Sequence, residues 1–261
     1  MSSNPIIDWL TTTQPPVEWL IPDLLPRGYL ITLIADAGAG KSTLSYTLGM
    51  ALASGVPVLG FTPTTARPVL YFDDENAHPD MIVYLQRAWI GLGRPNLDLL
   101  ERHLWIEPFT LGKVGWADTV KERVLAVRPA LVIFDTAISC CPPRTAKGED
   151  DNAEAIRTIN TIRELTRLVG ATALILKHAK IFPTAYDPLK EPEYDVRGAK
   201  AWKGAADSVL FLAKGKPPTD AAAGHPTRLF PLKSRAFGLH ETVTIRPEYL
   251  EGRRGLRLHR G

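Results

Sequence analysis

Residues 29–53 carry, in order, the β-like run Y-L-I-T-L-I, the small-residue loop A-D-A-G-A-G-K-S-T and the helix-like run L-S-Y-T-L-G-M-A-L-A. No other stretch constrains the fold as strongly. A strand that turns through small residues straight into a helix aims successive backbone N–H groups, and the positive end of the helix dipole, at one point. With G-K-S at the helix start, that point is predicted to hold the phosphates of a nucleoside triphosphate, ATP or GTP. Ala37, Gly38, Ala39, Gly40, Lys41, Ser42 and Thr43 form the predicted cradle. Lys41 is placed to reach the β- and γ-phosphates, and the Ser42 hydroxyl to ligate Mg²⁺. The loop departs from G-x-x-x-x-G-K-[ST] at Ala35, where the first glycine is expected. Alanine fits there if its φ is negative, and Asp36 is expected to point to solvent.

The rest of the chain alternates β- and α-like segments. Apolar runs at 69–72, 104–106, 130–134 and 172–176 read as strands. Helical patterns run from Lys41 to about Ala53, from 79 to 90 with Met81, Ile82, Leu85 and Trp89 on one side, and from 116 to 127. A further helix, capped by Asp151-Asn152, places Ile156, Ile159, Ile162, Leu165 and Leu168 along one stripe. Three late β-like runs, 208–212, 227–233 and 241–245, close the chain. The fold class is therefore α/β: a mostly parallel twisted sheet flanked by helices, with an antiparallel β-hairpin extension at the carboxyl end. Residues 1–28 read as an arm, and 29–261 as one ATPase domain. The arm's proline-punctuated apolar segment, through Trp19, Ile21, Leu24 and Leu25, must bury across the domain or against a neighbouring subunit.

Bulk properties exclude several classes. At 261 residues, with 45% hydrophobic and 23% charged, the composition is that of a globular protein. No apolar run approaches the about 20 residues that span a bilayer, so no membrane association is expected. The start lacks the pattern of a secretory signal. The two cysteines, Cys140 and Cys141, are adjacent and read as small buried hydrophobes, which together point to a reducing, cytoplasmic setting. A net charge of +3 is too weak by itself to argue for nucleic acid. The basic residues do cluster, at 197–203 and 253–260.

Four further groups carry chemistry. Asp135 ends the run A-L-V-I-F-D, where the carboxyl end of a buried strand can place it on Mg²⁺. Asp73-Asp74-Glu75 ends another strand, and a carboxylate beside the γ-phosphate can orient the attacking water; Glu75 has the longest reach. His178 is predicted at the end of the next strand on the same edge, within reach of the γ-phosphate or that carboxylate. Lys233 and Arg235 lie between two late strands, a pair suited to solvent or to insertion into a neighbour's nucleotide site.

Taken in order, A-D-A-G-A-G-K-S-T, Y-F-D-D-E, L-V-I-F-D, L-K-H-A-K, R-G-A-K-A-W-K-G-A-A-D and L-K-S-R-A-F-G resemble the plasmid RepA-type hexameric helicases. These belong to the RecA-like ATPases that include the DnaB motor. The resemblance covers about residues 17–246, and is most specific in W-L-I-P-D-L-L-P-R-G and in 197–207. It implies an ATP-dependent replicative helicase that translocates on single-stranded DNA as a homohexameric ring, with a replication initiator or primase as a further partner. Lys41 and Ser42 would bind phosphate and Mg²⁺, Glu75 would be the catalytic carboxylate, Asp135 the Walker B acid and His178 the γ-phosphate sensor. Lys233 and Arg235 would be fingers lent by the adjacent subunit, and Arg197 would approach the subunit interface. Lys147, Lys190, Lys200 and Lys203, in loops facing the pore, would track the DNA backbone. Lys177 stands where relatives often carry a second histidine. The alternatives are a RecA-like DNA-associated ATPase without helicase activity, a P-loop small-molecule kinase, and a nucleotide-binding module that does not hydrolyse.

Overall fold

The computed structural model describes residues 6, 10–13, 16–36, 38–108, 115–142, 151–180, 195–196, 200–215, 225–236 and 238–261. A small hairpin of β1 (Trp19–Ile21) and β2 (Leu25–Pro26) leads into β3 (Leu30–Ala35) and α1 (Lys41–Ser54). Then come β4 (Val69–Asp73), α2 (His78–Gly91), α3 (Leu97–His103), β5 (Leu104–Pro108), α4 (Trp116–Val127) and β6 (Leu131–Asp135). The chain continues through α5 (Ala137–Cys140), α6 (Asn152–Arg167), β7 (Thr172–Lys180), β8 (Asp195–Val196) and α7 (Ala201–Gly204). It ends with β9 (Ser208–Lys214), β10 (Thr227–Ser234), β11 (Val243–Leu250) and β12 (Gly255–Arg260).

Ten strands form one sheet in the order β12-β11-β10-β9-β3-β7-β6-β4-β5, with β8 paired to β7. From β9 to β5 every neighbour is parallel, and β9 to β12 run antiparallel to one another. The expected class, a mostly parallel sheet with an antiparallel extension, is the fold observed. Among the described residues no helix is long and apolar enough to cross a membrane.

Side chains alternate across a strand, so each parallel strand feeds two cores. Ile31, Leu33, Tyr71, Ile133, Leu174 and Leu176 face α1. Ile34, Phe72, Phe134, Ile175 and Phe211 face the layer that holds α4, α6 and α7. Every residue of α1 except Thr43 is buried, because α1 lies between the sheet and the outer helices and has no solvent face.

The sequence reading needs correction in several places. In α6, Ile156 and Leu168 are 46% and 52% exposed. The buried arc instead contains Ala155, Thr158, Ile159, Ile162, Leu165 and Thr166. At 3.6 residues per turn, both exposed residues lie about 120° from that arc's centre. Ile82 on α2 is likewise exposed, one position round from buried Met81. The Asp151 cap stands as expected, its carboxylate accepting from the N–H groups of Ala153 and Glu154. Leu20, Ile21, Leu24 and Leu25 bury in the domain's own core rather than against a second copy.

The β11–β12 hairpin curls back over the α1 side until β12 abuts the end of α2. A Cβ added at Gly91 would sit 1.9 Å from the Leu256 carbonyl oxygen, so only glycine permits this approach. Arg257 Nε donates to the Gly91 carbonyl (3.2 Å), and Arg94 pairs with Glu251 across the same seam. Because the obstacle is backbone, Gly91→Ala should cost about 1–3 kcal/mol by overpacking. Urea unfolding monitored by circular dichroism measures this, and an unchanged midpoint would refute the close contact.

Candidate functional site

The same two-residue alternation that builds the cores aims the polar residues at one place. Tyr71, Asp73, Asp135 and His178 fall in phase with the residues facing α1. Register sets their level. Asp73 lies opposite Asp135, and Ala35 opposite His178, all at the carboxyl edge from which α1 departs. β7 runs two residues beyond His178, so this histidine is inside a strand rather than at its end as expected. It reaches the edge because the neighbouring strands stop there.

Ala35 is the last residue of β3, paired with both His178 and Leu212. An extended residue needs no positive φ, which explains why alanine serves where glycine was expected. The left-handed positions are Gly38 and Gly40, with φ of 70° and 88°. Asp36 does not simply face solvent. It is half-buried, burial pushes its carboxyl pKa up, and the Lys214 backbone N–H it accepts from works against that shift. Ala37 lies outside the described residues.

Lys41, only 7% exposed, is the centre of the site. Its Nζ lies 3.2 Å from Glu75 Oε2 and 3.2 Å from Asp135 Oδ1. Glu75 Oε1 lies 3.3 Å from His178 Nε2. Burial disfavours the ionised Glu75. The hydrogen bond from His178 and the Lys41 ammonium more than offset this, bringing its pKa down to about 2. Asp135 is fully buried, and that burial raises its pKa against the pull of Lys41. Its Oδ2 accepts from the Tyr71 hydroxyl (2.8 Å), and its carboxylate also accepts from the Ser42 hydroxyl. A hydroxyl oxygen and a carboxylate oxygen side by side, at the mouth of a phosphate loop, form a donor set that fits Mg²⁺ bound together with phosphate.

A second tier supports these groups and was missed in the sequence. The Tyr46 hydroxyl donates to Asp73 Oδ2 (2.7 Å), and Tyr71 and Ser45 share a 2.7 Å hydrogen bond. The Tyr46 and Tyr71 rings stack at 4.3 Å. Asp73 Oδ1 accepts from the N–H groups of Glu75 (3.1 Å) and Asn76 (2.9 Å), an Asx turn that aims Glu75 at Lys41. The triplet D-D-E thus divides its labour: Asp73 anchors the turn, Asp74 is half-buried beside it, and Glu75 faces the site. A tyrosine in each of two otherwise apolar segments was the available signal, since a buried hydroxyl requires a partner.

The other candidates lie elsewhere. Lys233 Nζ donates to the carbonyls of Gly204 (2.9 Å) and Ala206 (2.6 Å), and Arg235 pairs with Asp207 Oδ1 (2.9 Å). Asp207 also accepts from the Leu30 N–H at the start of β3. The finger pair is therefore at the opposite edge of the sheet from its own phosphate loop, separated by the length of β3, on the order of 15 Å. Lys200 and Lys203 are exposed at α7, beside α6. Lys177 points away from the site, its Nζ 4.8 Å from the Trp202 ring centroid. Lys147, Lys190 and Arg197 lie outside the described residues.

A family model described as an AAA domain matches residues 3–180. That is more than half of the chain, and the chain belongs to this family of P-loop ATPase domains. The match contains Lys41, Ser42, Glu75, Asp135 and His178, and ends before α7. No curated protein matches the chain.

The depressed Glu75 pKa has a consequence for stability. In the unfolded chain the carboxyl titrates near its ordinary value of 4.5, and in the folded chain near 2. Its contribution is therefore present above pH 4.5 and is lost as pH falls towards 2. Wild type should lose stability relative to Glu75→Gln between urea titrations at pH 5 and pH 3, and a pH-independent difference would contradict the ion pairing.

Proposed function

We propose that this AAA-domain ATPase assembles as a homohexameric ring that hydrolyses ATP with Mg²⁺ and uses the cycle to translocate on, and unwind, single-stranded DNA. The observation that carries the ring is the division of the charged groups between opposite edges of the sheet. Lys41, Glu75, Asp135 and His178 form one half of a site. Lys233 and Arg235, too far to serve that half, are poised on an exposed edge to complete a neighbour's. Head-to-tail contacts whose rotation closes bring such unlike edges together.

The chemistry follows from the ion cluster. An entering triphosphate competes for the Lys41 ammonium, drawing it from Glu75 and Asp135 towards the β- and γ-phosphates. Glu75 then loses one of the two interactions that hold its pKa low, and becomes a better base for the attacking water. His178 keeps the other carboxylate oxygen in place, so Glu75 stays oriented while its basicity rises. Mg²⁺, held by Ser42 and Asp135, neutralises charge on the phosphates when bound. Arg235 from the next subunit would stabilise charge on the transferred phosphoryl group, a contribution of order 10³–10⁵ in rate for arginine fingers. Lys200 and Lys203, exposed on the α7 side, are the described candidates for contact with the DNA backbone.

Lys41→Ala should abolish nucleotide binding, and Glu75→Gln should bind ATP but hydrolyse it at least about 100-fold more slowly, the scale of general-base catalysis. Isothermal titration and phosphate release separate these two outcomes. Arg235→Ala should be inactive alone and regain turnover when mixed with Lys41→Ala, because each supplies the half the other lacks. No recovery would argue against catalysis between subunits. ATPase rates with and without single-stranded DNA, alongside solution mass with an ATP analogue, test the motor. Stimulated turnover in a ring supports it, and turnover indifferent to DNA favours a RecA-like ATPase of another role. Phosphate transfer to a metabolite would identify a kinase.

A further inference from the structure

Beside the phosphate loop lies a cleft of about 210 Å³, built from two parts of the chain far apart in sequence. Gly40 and Thr43, where the loop becomes α1, form one wall. The facing wall is the curled β11–β12 hairpin. Pro247 pairs with Leu258, and Tyr249 with Leu256, so two cross-strand pairs present one apolar surface. Pro247, Tyr249 and Leu258 remain partly open to solvent on this surface, although their strands are paired on both or one side. The Tyr249 ring is held by two guanidinium groups, Arg253 at 5.3 Å and Arg87 at 6.0 Å from its centroid. Lys214, His225 and Thr227 stand at the rim with hydrogen-bonding groups.

A flat apolar wall with a few polar groups at its edge is what a nucleobase requires. Its position is equally specific, since the cleft opens directly on the loop that grips phosphate. We propose that this cleft is the base-and-ribose subsite of the nucleotide: the β11–β12 hairpin is the stacking wall, and Lys214, His225 and Thr227 read the base edge. The proposal rests on the reading of the Lys41 loop as a triphosphate site. It assigns a ligand-binding role to residues 245–258, all beyond the 3–180 span that defines the family.

Two variants leave the phosphate loop intact. Thr227→Trp fills the cleft without deleting a core side chain, and Tyr249→Ala removes part of the wall; melting curves establish that each is folded. The probes are Mg-ATP and Mg-tripolyphosphate, the second having phosphates but no base. Calorimetry should show ATP affinity falling about tenfold or more in both variants, the scale of a lost base stack, with tripolyphosphate affinity unchanged. In the wild type, 8-azido-ATP, whose reactive group is on the base, should photolabel the peptide carrying residues 245–258. Unchanged ATP affinity in both folded variants, or a label confined to other peptides, overturns the subsite while leaving the triphosphate site standing. A wild type that binds neither probe would instead sink the triphosphate reading, and the subsite with it.

Discussion

A lysine ammonium almost out of water, held between two carboxylates, is the constraint around which the molecule is arranged. Lys41 can be buried only because Glu75 and Asp135 each lie 3.2 Å away and return what desolvation takes. The same three groups are the machinery for a triphosphate: a cation for its phosphates, an acid for its metal and a base for its water. In the absence of nucleotide they satisfy one another. Phosphate binding is therefore an exchange of partners, and the exchange raises the basicity of Glu75.

Bringing those groups together requires the parallel sheet. Glu75, Asp135 and Lys41 come from three separate strand-to-helix junctions, and only strands running the same way deliver all three junctions to one edge. The register of β3, β4, β6 and β7 then decides the level of each side chain, and their alternation decides the face. The buried tyrosines on that face do structural work for the site. Tyr71 fixes Asp135, and Tyr46 fixes Asp73, which in turn orients Glu75. The antiparallel extension gives the sheet a second task. It carries Lys233 and Arg235 to the far edge while its last hairpin folds back over the phosphate loop.

Much of this was legible in the linear chain. The parallel strands are short, apolar and rich in β-branched residues, and each ends in a residue whose type announces the site. The strand–loop–helix at 29–53 was unambiguous because periodicity, small residues and G-K-S agree. What escaped was set by contacts. Strand β12 reads as an arginine-rich tail, although its L-R-L-H alternation is that of a half-buried strand. Ile156 and Leu168 carry apolar side chains into solvent because the arc α6 buries is narrower than its apolar content. Ala35 looks like a defect in the loop until pairing shows it to be the end of a strand.

The amino-acid sequence alone determined the α/β class, the phosphate loop and the acids that accompany it, because these depend on local periodicity and on residue chemistry at strand ends. The tertiary structure decided which of three adjacent acids faces the lysine, and that the two carboxyl-terminal cations cannot reach the site of their own chain. It also decided that the final hairpin closes over the phosphate loop. Those outcomes depend on register, strand order and sheet curvature. All three arise from pairings between segments distant in the chain, which no short window of sequence contains.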